Sequence, residues 1–328
     1  MKILVVGDWD ADGIVSSAEV VYAQEFLGIY PVKGRNRVCL KPASPRTLSE
    51  ALAGEGGDVL VVLDIPFTRT VSECLPDLRK RFKKIIYVDH HLSTIVHVDR
   101  IERVVDEVLV GKSPTALLVA HVIRSLGGRL SPRLEAFVSA TAYAEKGGKA
   151  RVDKRLVELV VKISKYLSIT RDANVWEKLV RWLASPLSMA AMPFSQSIVS
   201  LIKEDEVVRE SERIKQLATE LAPSAIRLPS LRVVDARKVR DAKVSALASQ
   251  LYRIFRMPVL VIGRRGDGLL VAIRSKDDMP YRLAMELYKR GALKDVGGHQ
   301  SLAIGLLSDE YSDLNKLLVV VRECLRKL

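Results

Sequence analysis

Ile3-Leu4-Val5-Val6-Gly7-Asp8-Trp9-Asp10-Ala11-Asp12-Gly13 opens with an apolar, β-branched run and stops on a turn with three carboxylates at alternate positions. Short runs of this kind, bounded by polar or glycine residues, read as strands buried on both faces of a parallel sheet. Two more follow at Val59–Leu63 and Ile85–Val88, and apolar residues at helical spacing occupy Val15–Leu27 and Ser72–Phe82 between them. This βαβ order predicts an α/β domain built on a parallel sheet. Each strand ends on a charged turn: Asp8 after the first, Asp64 after the second, Asp89-His90-His91 after the third. Ligands of open α/β sheets bind beyond the carboxyl ends of the strands. Three clusters distant in sequence are therefore expected to converge in one crevice.

Taken singly, each cluster has a plainer alternative. The Asp8 loop formally satisfies calcium-loop spacing, with Glu19 at the twelfth position. That reading fails on context, because a calcium loop needs an entering helix and a strand-like run precedes Asp8. A structural turn in which Asp12 caps the next helix, with Gly13 serving a sharp bend, stands as the other reading. Asp64, ahead of Ile65-Pro66, can be a turn former, and a His-His pair can be a surface turn. Adjacent histidines at a strand end point in different directions, so one can bind metal while the other faces substrate. An acidic neighbour can orient such a ring by accepting its second N–H. Oxygen-rich sites with one imidazole suit Mn²⁺ or Mg²⁺ rather than structural Zn²⁺.

The chain has 328 residues, of which 48% are hydrophobic, enough for two domains with real cores. Four helical stretches, Thr115–Leu126, Lys154–Leu167, Val175–Leu183 and Val207–Leu221, are punctuated by Pro186, Pro193 and Pro223. Beyond Pro223–Pro229 come strand-like runs at Leu231–Val234, Val259–Gly263, Leu269–Arg274 and Leu302–Leu306, with helices at Val239–Phe255 and Tyr281–Arg290. The expected organisation is a catalytic α/β domain over 1–150, a helical connecting region over 151–226 and a smaller α/β domain over 227–328. No apolar stretch of membrane-spanning length occurs, and the first residues do not read as a signal peptide. Cys39, Cys74 and Cys324 form no CxxC pair and read as free thiols of a reducing cytoplasm. Five Gln and three Asn beside 28% charged residues lean toward a thermophilic source.

The net charge of +13 is uneven: residues 1–150 carry 20 Lys+Arg against 18 Asp+Glu, and residues 151–328 carry 32 against 21. A basic back half suits a polyanionic partner, a nucleic acid or nucleotide, although a solvated basic surface is the plainer account.

Gly7-Asp8-Trp9-Asp10-Ala11-Asp12-Gly13, then Asp64, then Asp89-His90-His91 together resemble the first three motifs of the DHH phosphoesterase superfamily. Ser113-Pro114-Thr115 resembles that family's turn ahead of a helix. Val271-Ala272-Ile273-Arg274-Ser275 and Gly297-Gly298-His299 resemble its DHH-associated C-terminal domain. The first motif is similar to that of RecJ-type nucleases. Val6 stands where the His-first relatives, oligoribonucleases and family II pyrophosphatases, carry a histidine. In the place of the fourth-motif Asp stands Glu145, within Ala140-Thr141-Ala142-Tyr143-Ala144-Glu145.

The resemblance implies two Mn²⁺ or Mg²⁺ ions roughly 3.5–4 Å apart that share a hydroxide. It assigns Asp64 as the bridging ligand, Asp10 and Asp12 to separate ions, and His90 to one shell. Asp8 becomes a ligand or anchor, and Glu145 a replacement ligand for the second ion. Asp89 orients a histidine, and His91 donates to a non-bridging phosphate oxygen. Arg274, Ser275, Gly297, Gly298 and His299 are assigned to the substrate's phosphate or sugar, although a Gly-Gly-His triplet alone is most often a turn. Arg232, Arg237, Lys238, Arg240 and Lys243 extend a strand track or form a solvated face. Trp9 stacks on a base or packs on a helix.

Three functions follow. The first is a RecJ-like exonuclease on single-stranded DNA, RNA or short oligonucleotides, with replication or repair proteins as partners. The second is a small-substrate hydrolase for dinucleotides, cyclic dinucleotides or nucleotide phosphates. The third is a non-catalytic scaffold of a replication assembly.

Overall fold

Five strands, β1 (Ile3–Gly7), β2 (Val38–Pro42), β3 (Gly57–Leu63), β4 (Phe82–Asp89) and β5 (Glu107–Val110), form one parallel sheet in the order β2-β1-β3-β4-β5. The structure, a computed structural model, describes residues 1–146, 152–186, 200–239, 243–266, 268–299 and 301–328. Successive side chains leave a strand on opposite faces, and here both faces are covered. Ile3, Val5, Val61, Leu63, Ile86 and Val88 enter one core. Leu4, Val6, Leu60, Val62, Ile85 and Tyr87 enter the other. Unbroken apolar runs are the sequence signature of such a sheet. Val6 is fully buried in the second core, so it contributes packing and no ligand.

Helices of eleven residues or more are numbered in chain order. They are α1 (Ala11–Val21), α2 (Arg69–Arg81), α3 (Thr115–Ser125), α4 (Pro132–Lys146), α5 (Lys154–Thr170), α6 (Ala173–Ala184), α7 (Glu204–Leu221), α8 (Val244–Phe255), α9 (Met279–Lys289) and α10 (Leu314–Leu325). Val71, Leu75 and Leu78 of α2 fill the second core. In α1 every residue is buried, and a π-helical turn, Tyr22–Leu27, extends it.

The molecule divides into two units, Met1–Val207 and Val208–Leu328. The region expected as a connection over 151–226 is split between them. Leu159, Val160 and Ile163 of α5, with Trp176, Leu179, Val180 and Leu183 of α6, lie in the core that holds β1 and α1. Their apolar stripes are buried in that core, so the first unit runs well past residue 150. Ala218 of α7 belongs to the core of the second unit.

The second unit has a mixed sheet in the order β10-β11-β9-β8-β7-β6, with β6 (Ile226–Arg227), β7 (Arg232–Ala236), β8 (Val259–Arg265), β9 (Gly268–Arg274), β10 (Leu293–His299) and β11 (Leu302–Leu307). Only β7 and β8 pair in parallel. Val244, Leu247, Ala248 and Leu251 of α8 close its core over Val234, Val261 and Ala272. This unit holds 23 Lys+Arg against 14 Asp+Glu, so most of the positive surplus lies here. Among the described residues no helix is long and apolar enough to cross a membrane.

Glu19 sits in the last turn of α1 with no exposed surface, and neither carboxyl oxygen has a hydrogen-bond partner among the described residues. Burial, then the charge of Asp12, pushes its pKa well above the ordinary range. A carboxyl that binds its proton more tightly folded than unfolded costs stability increasingly as pH rises above about 4. Replacing Glu19 by Met, of similar volume and without polar atoms, is expected to stabilise the protein by about 1–3 kcal/mol at pH 8. The gain should shrink toward pH 5, as urea unfolding at both pH values will show.

Candidate metal centre

The strand order reverses between β1 and β3, and the carboxyl ends of β1, β3 and β4 carry the three charged clusters to one edge. Asp10 caps α1: its Oδ1 accepts the N–H groups of Asp12 and Gly13 at 3.0 and 3.1 Å. The helix therefore begins at Ala11, four residues before the apolar spacing suggests. Gly13 is required by close approach rather than by a bend, since a Cβ there would lie 2.5 Å from the Asp8 carbonyl oxygen. Glu19, buried two turns into the helix, is unable to serve as a twelfth calcium ligand.

Asp12 is used differently. Its Oδ2 accepts the Thr115 N–H at 2.7 Å and its Oδ1 accepts the Ala116 N–H at 2.9 Å. The carboxylate thus caps α3, whose positive end favours an anion. The Thr115 hydroxyl donates to Asp64 Oδ1 at 2.9 Å, which ties the second cluster to the same helix end. Asp64 itself has φ +60, and its N–H donates to the Val88 carbonyl at 2.9 Å. A left-handed Asp costs of order 1 kcal/mol and marks a position held by its surroundings.

The two histidines separate as their adjacent positions suggest. His90 Nε2 lies 3.4 Å from Asp64 Oδ1 and 3.6 Å from Asp12 Oδ2. His91 Nδ1 lies 2.7 Å from Asp89 Oδ1, so the orienting carboxylate acts on His91. Asp89 is fully buried, and its Oδ2 accepts the Thr94 hydroxyl and the His91 N–H. One donor atom each from Asp64, His90 and His91 lies within 4.8 Å of the others, a grouping that can hold a metal ion.

The charges around this group favour a cation. Desolvation, then the charge of Asp10, raises Asp8 and Asp12 to about 7, against N–H donors that lower each. Burial, then Asp12 and Asp10, lifts Asp64 well above the usual carboxylate range. Burial alone would depress His91, but the charge and hydrogen bond of Asp89 more than offset it and hold the imidazole at about 9. For Asp89 burial acts upward, and His91 and Thr94 outweigh it so that the carboxyl stays ionised. Mutually repelling carboxylates beside an oriented imidazole fit a divalent ion.

Glu145 is exposed on α4, and its carboxylate stands outside the grouped ligand atoms. In the second unit the register brings the assigned residues together, since Leu302 pairs with Arg274 on one side and His299 on the other. Arg274 is half-buried, donates to Ser301 Oγ at 2.9 Å and has an unpartnered Nε. Ser275 is buried and donates to Asp277 Oδ1 at 2.8 Å. Gly298, at φ +122, would place a Cβ 2.2 Å from the Leu302 carbonyl oxygen, so hairpin packing already requires a glycine there. The side chain of His299, like Arg240, lies outside the described residues.

Several residues that hold the centre have no local signature. The Ala11 N–H donates to Ser164 Oγ of α5 at 2.9 Å, and Trp176 Nε1 of α6 donates to the Asp8 carbonyl at 2.9 Å. Thr115 and Thr94 are equally structural to the site, and only the Ser113-Pro114-Thr115 turn gave any sequence signal for one of them.

No protein-family model and no curated protein matches the sequence. Solved structures do. RecJ of Thermus thermophilus with Mn²⁺ superposes at TM-score 0.64 and 16% identity, over 99% of this chain and 52% of that one. The DHH domain of a member of a ribosomal-protein family gives 0.66 at 15% identity, over 100% and 87%. The fold is that of RecJ and of this DHH domain. The pGpG-specific phosphodiesterase of Vibrio cholerae gives 0.51 at 12% identity, over 99% of both chains. The present chain thus spans about half the length of the Thermus RecJ chain.

Asp8 and Asp12 bind a proton more tightly in the folded protein than in the unfolded one. The metal-free DHH-fold protein should therefore lose stability as pH rises from about 4 to about 7. A cation relieves that repulsion and must displace the protons. Saturating Mn²⁺ is expected to raise Tm more at pH 8 than at pH 5.5, and equal shifts would contradict a carboxylate-based site.

Proposed function

We propose that this chain is a metal-dependent phosphodiesterase that hydrolyses single-stranded nucleic acid or short oligonucleotides. The observation that carries the reading is the repelling carboxylate cluster at the sheet edge, faced by one histidine within reach of Asp64 and a second oriented by Asp89. Asp64, His90 and Asp12 would hold divalent ions, with Asp10 and Asp8 on the adjoining loop. Bound Mn²⁺ or Mg²⁺ supplies a Lewis acid and a hydroxide available near neutral pH. His91, held protonated through Nδ1 by Asp89, would donate to a non-bridging oxygen and stabilise the charge that develops there.

The second unit supports a polyanionic substrate. It carries most of the positive surplus and sets Arg274, with Ser275 after it, and the Gly297–His299 strand end on the two strands that flank β11. These residues would bind the phosphate or sugar of the terminal nucleotide. A dinucleotide-sized substrate is the second reading. It is favoured by the superposition, over 99% of both chains, on a pGpG-specific phosphodiesterase.

The test is a length series, from dinucleotide to thirty-mer, in DNA and RNA, labelled at either end. Mn²⁺ is expected to support release of mononucleotides, and Asp64→Ala to abolish it while circular dichroism and Tm report a folded protein. Turnover confined to the dinucleotide selects the second reading. Absence of metal-dependent cleavage at every length rejects both.

A further inference from the structure

The turn that carries Asp64 is fastened to β4 and to the residues after it at three points. The Asp64 N–H donates to the Val88 carbonyl at 2.9 Å, and the Tyr87 hydroxyl donates to the Ile65 carbonyl. The Phe67 N–H donates to Thr94 Oγ1 at 2.8 Å. Tyr87 and Thr94 are both fully buried. Thr94 belongs to the short helical turn Leu92–Val96 that follows the two histidines. A threonine in a helix ordinarily returns its hydroxyl to a carbonyl three or four residues back. Here the hydroxyl donates instead to the side chain of Asp89, at Oδ2, five residues back.

The chemistry of the partners leaves one arrangement. A backbone N–H only donates and an ionised carboxylate only accepts, so the atom between them must accept from one and donate to the other. A hydroxyl does both with its single hydrogen. The order is therefore Phe67 N–H to Thr94 and Thr94 O–H to Asp89 Oδ2, while Asp89 Oδ1 holds His91 Nδ1 at 2.7 Å. One oxygen atom is thus hydrogen-bonded both to the turn of Asp64 and to the carboxylate that orients His91. His91 Nδ1 and Asp64 Oδ1 stand 4.0 Å apart on two different loops, and Thr94 is a joint between those loops.

We propose that Thr94 is a positioning residue for hydrolysis: its hydroxyl fixes the Asp89 carboxylate against the Asp64 turn and so sets the place of the His91 ring beside Asp64. The proposal rests on the phosphodiesterase reading and adds to it a residue that no spacing or motif assigned. Thr94 acts through Asp89, in the way that groups behind a metal site orient the side chains in front of them.

The experiment uses the full chain at saturating Mn²⁺ and the shortest oligonucleotide that the wild type cleaves. Thr94→Val keeps the branched shape of the side chain and removes the hydroxyl. It is expected to lower kcat about tenfold or more and to leave KM unchanged. Thr94→Ser, which keeps the hydroxyl, should recover most of that loss. Thr94→Ala, which differs from Thr94→Ser by the hydroxyl alone, should not. Circular dichroism and Tm identify the folded variants, and the Ser and Ala pair carries the comparison if Thr94→Val does not fold. Wild-type kcat in Thr94→Val or Thr94→Ala would overturn the proposal and leave the phosphodiesterase reading intact. Equal losses in Thr94→Ser and Thr94→Ala would also overturn it, since the residue would then serve by packing. A wild type that cleaves no oligonucleotide with Mn²⁺ defeats both readings together.

Discussion

The carboxylate of Asp12 closes on two backbone N–H groups at the start of α3, more than a hundred residues away, and the site depends on that closure. The contact satisfies orphan donors of a helix end and gives a buried anion its counter-dipole. It also sets the distance between the loop after β1 and the helix that follows β5. Through the Thr115 hydroxyl the same helix end positions Asp64. One capping interaction thus fixes two of the candidate ligands with respect to each other. Their pKa values remain raised nonetheless, because a few N–H and O–H donors do not balance several carboxylates gathered in one desolvated edge.

That imbalance is a cost to the folded chain, and it is concentrated where a cation would remove it. Asp89 and His91 are the contrasting pair. They form a close ion pair whose partners favour each other's charged states, so they need no external ion. The edge therefore combines a cluster that calls for positive charge with a histidine whose protonated form its own carboxylate favours. Glu19 shows the other outcome for a buried acid: with no hydrogen-bond partner among the described residues, burial raises its pKa well above the ordinary range.

The helices α5 and α6 complete the arrangement from behind. They bury apolar stripes against the sheet, and from that footing Ser164 and Trp176 hold the backbone of the metal loop while Arg171 covers Trp9. A region that looks like a connection in sequence is thus part of the scaffold that carries the candidate metal centre. In the second unit, pairing of β9 and β10 with β11 sets Arg274 and the Gly297–His299 strand end on either side of one strand.

The parallel sheet, the convergence of Asp8, Asp64 and Asp89-His90-His91 on one edge, and the presence of a second α/β unit were legible in the sequence. Each follows from local periodicity and from the rule that parallel strands present their carboxyl ends together. The edge strands β2 and β5 were not legible, because residues such as Cys39, Lys41 and Glu107, which are not buried, break the apolar pattern. Which aspartate caps which helix was open as well: Asp10 caps α1, while Asp12 reaches α3, and only tertiary packing brings a helix from residue 115 to residue 12. The extent of the first unit, the grip of Trp176 on Asp8 and the placement of Arg171 over Trp9 belong to the same class. They are contacts across more than 150 residues, and a linear chain carries the residue types for such contacts but not the distances between them.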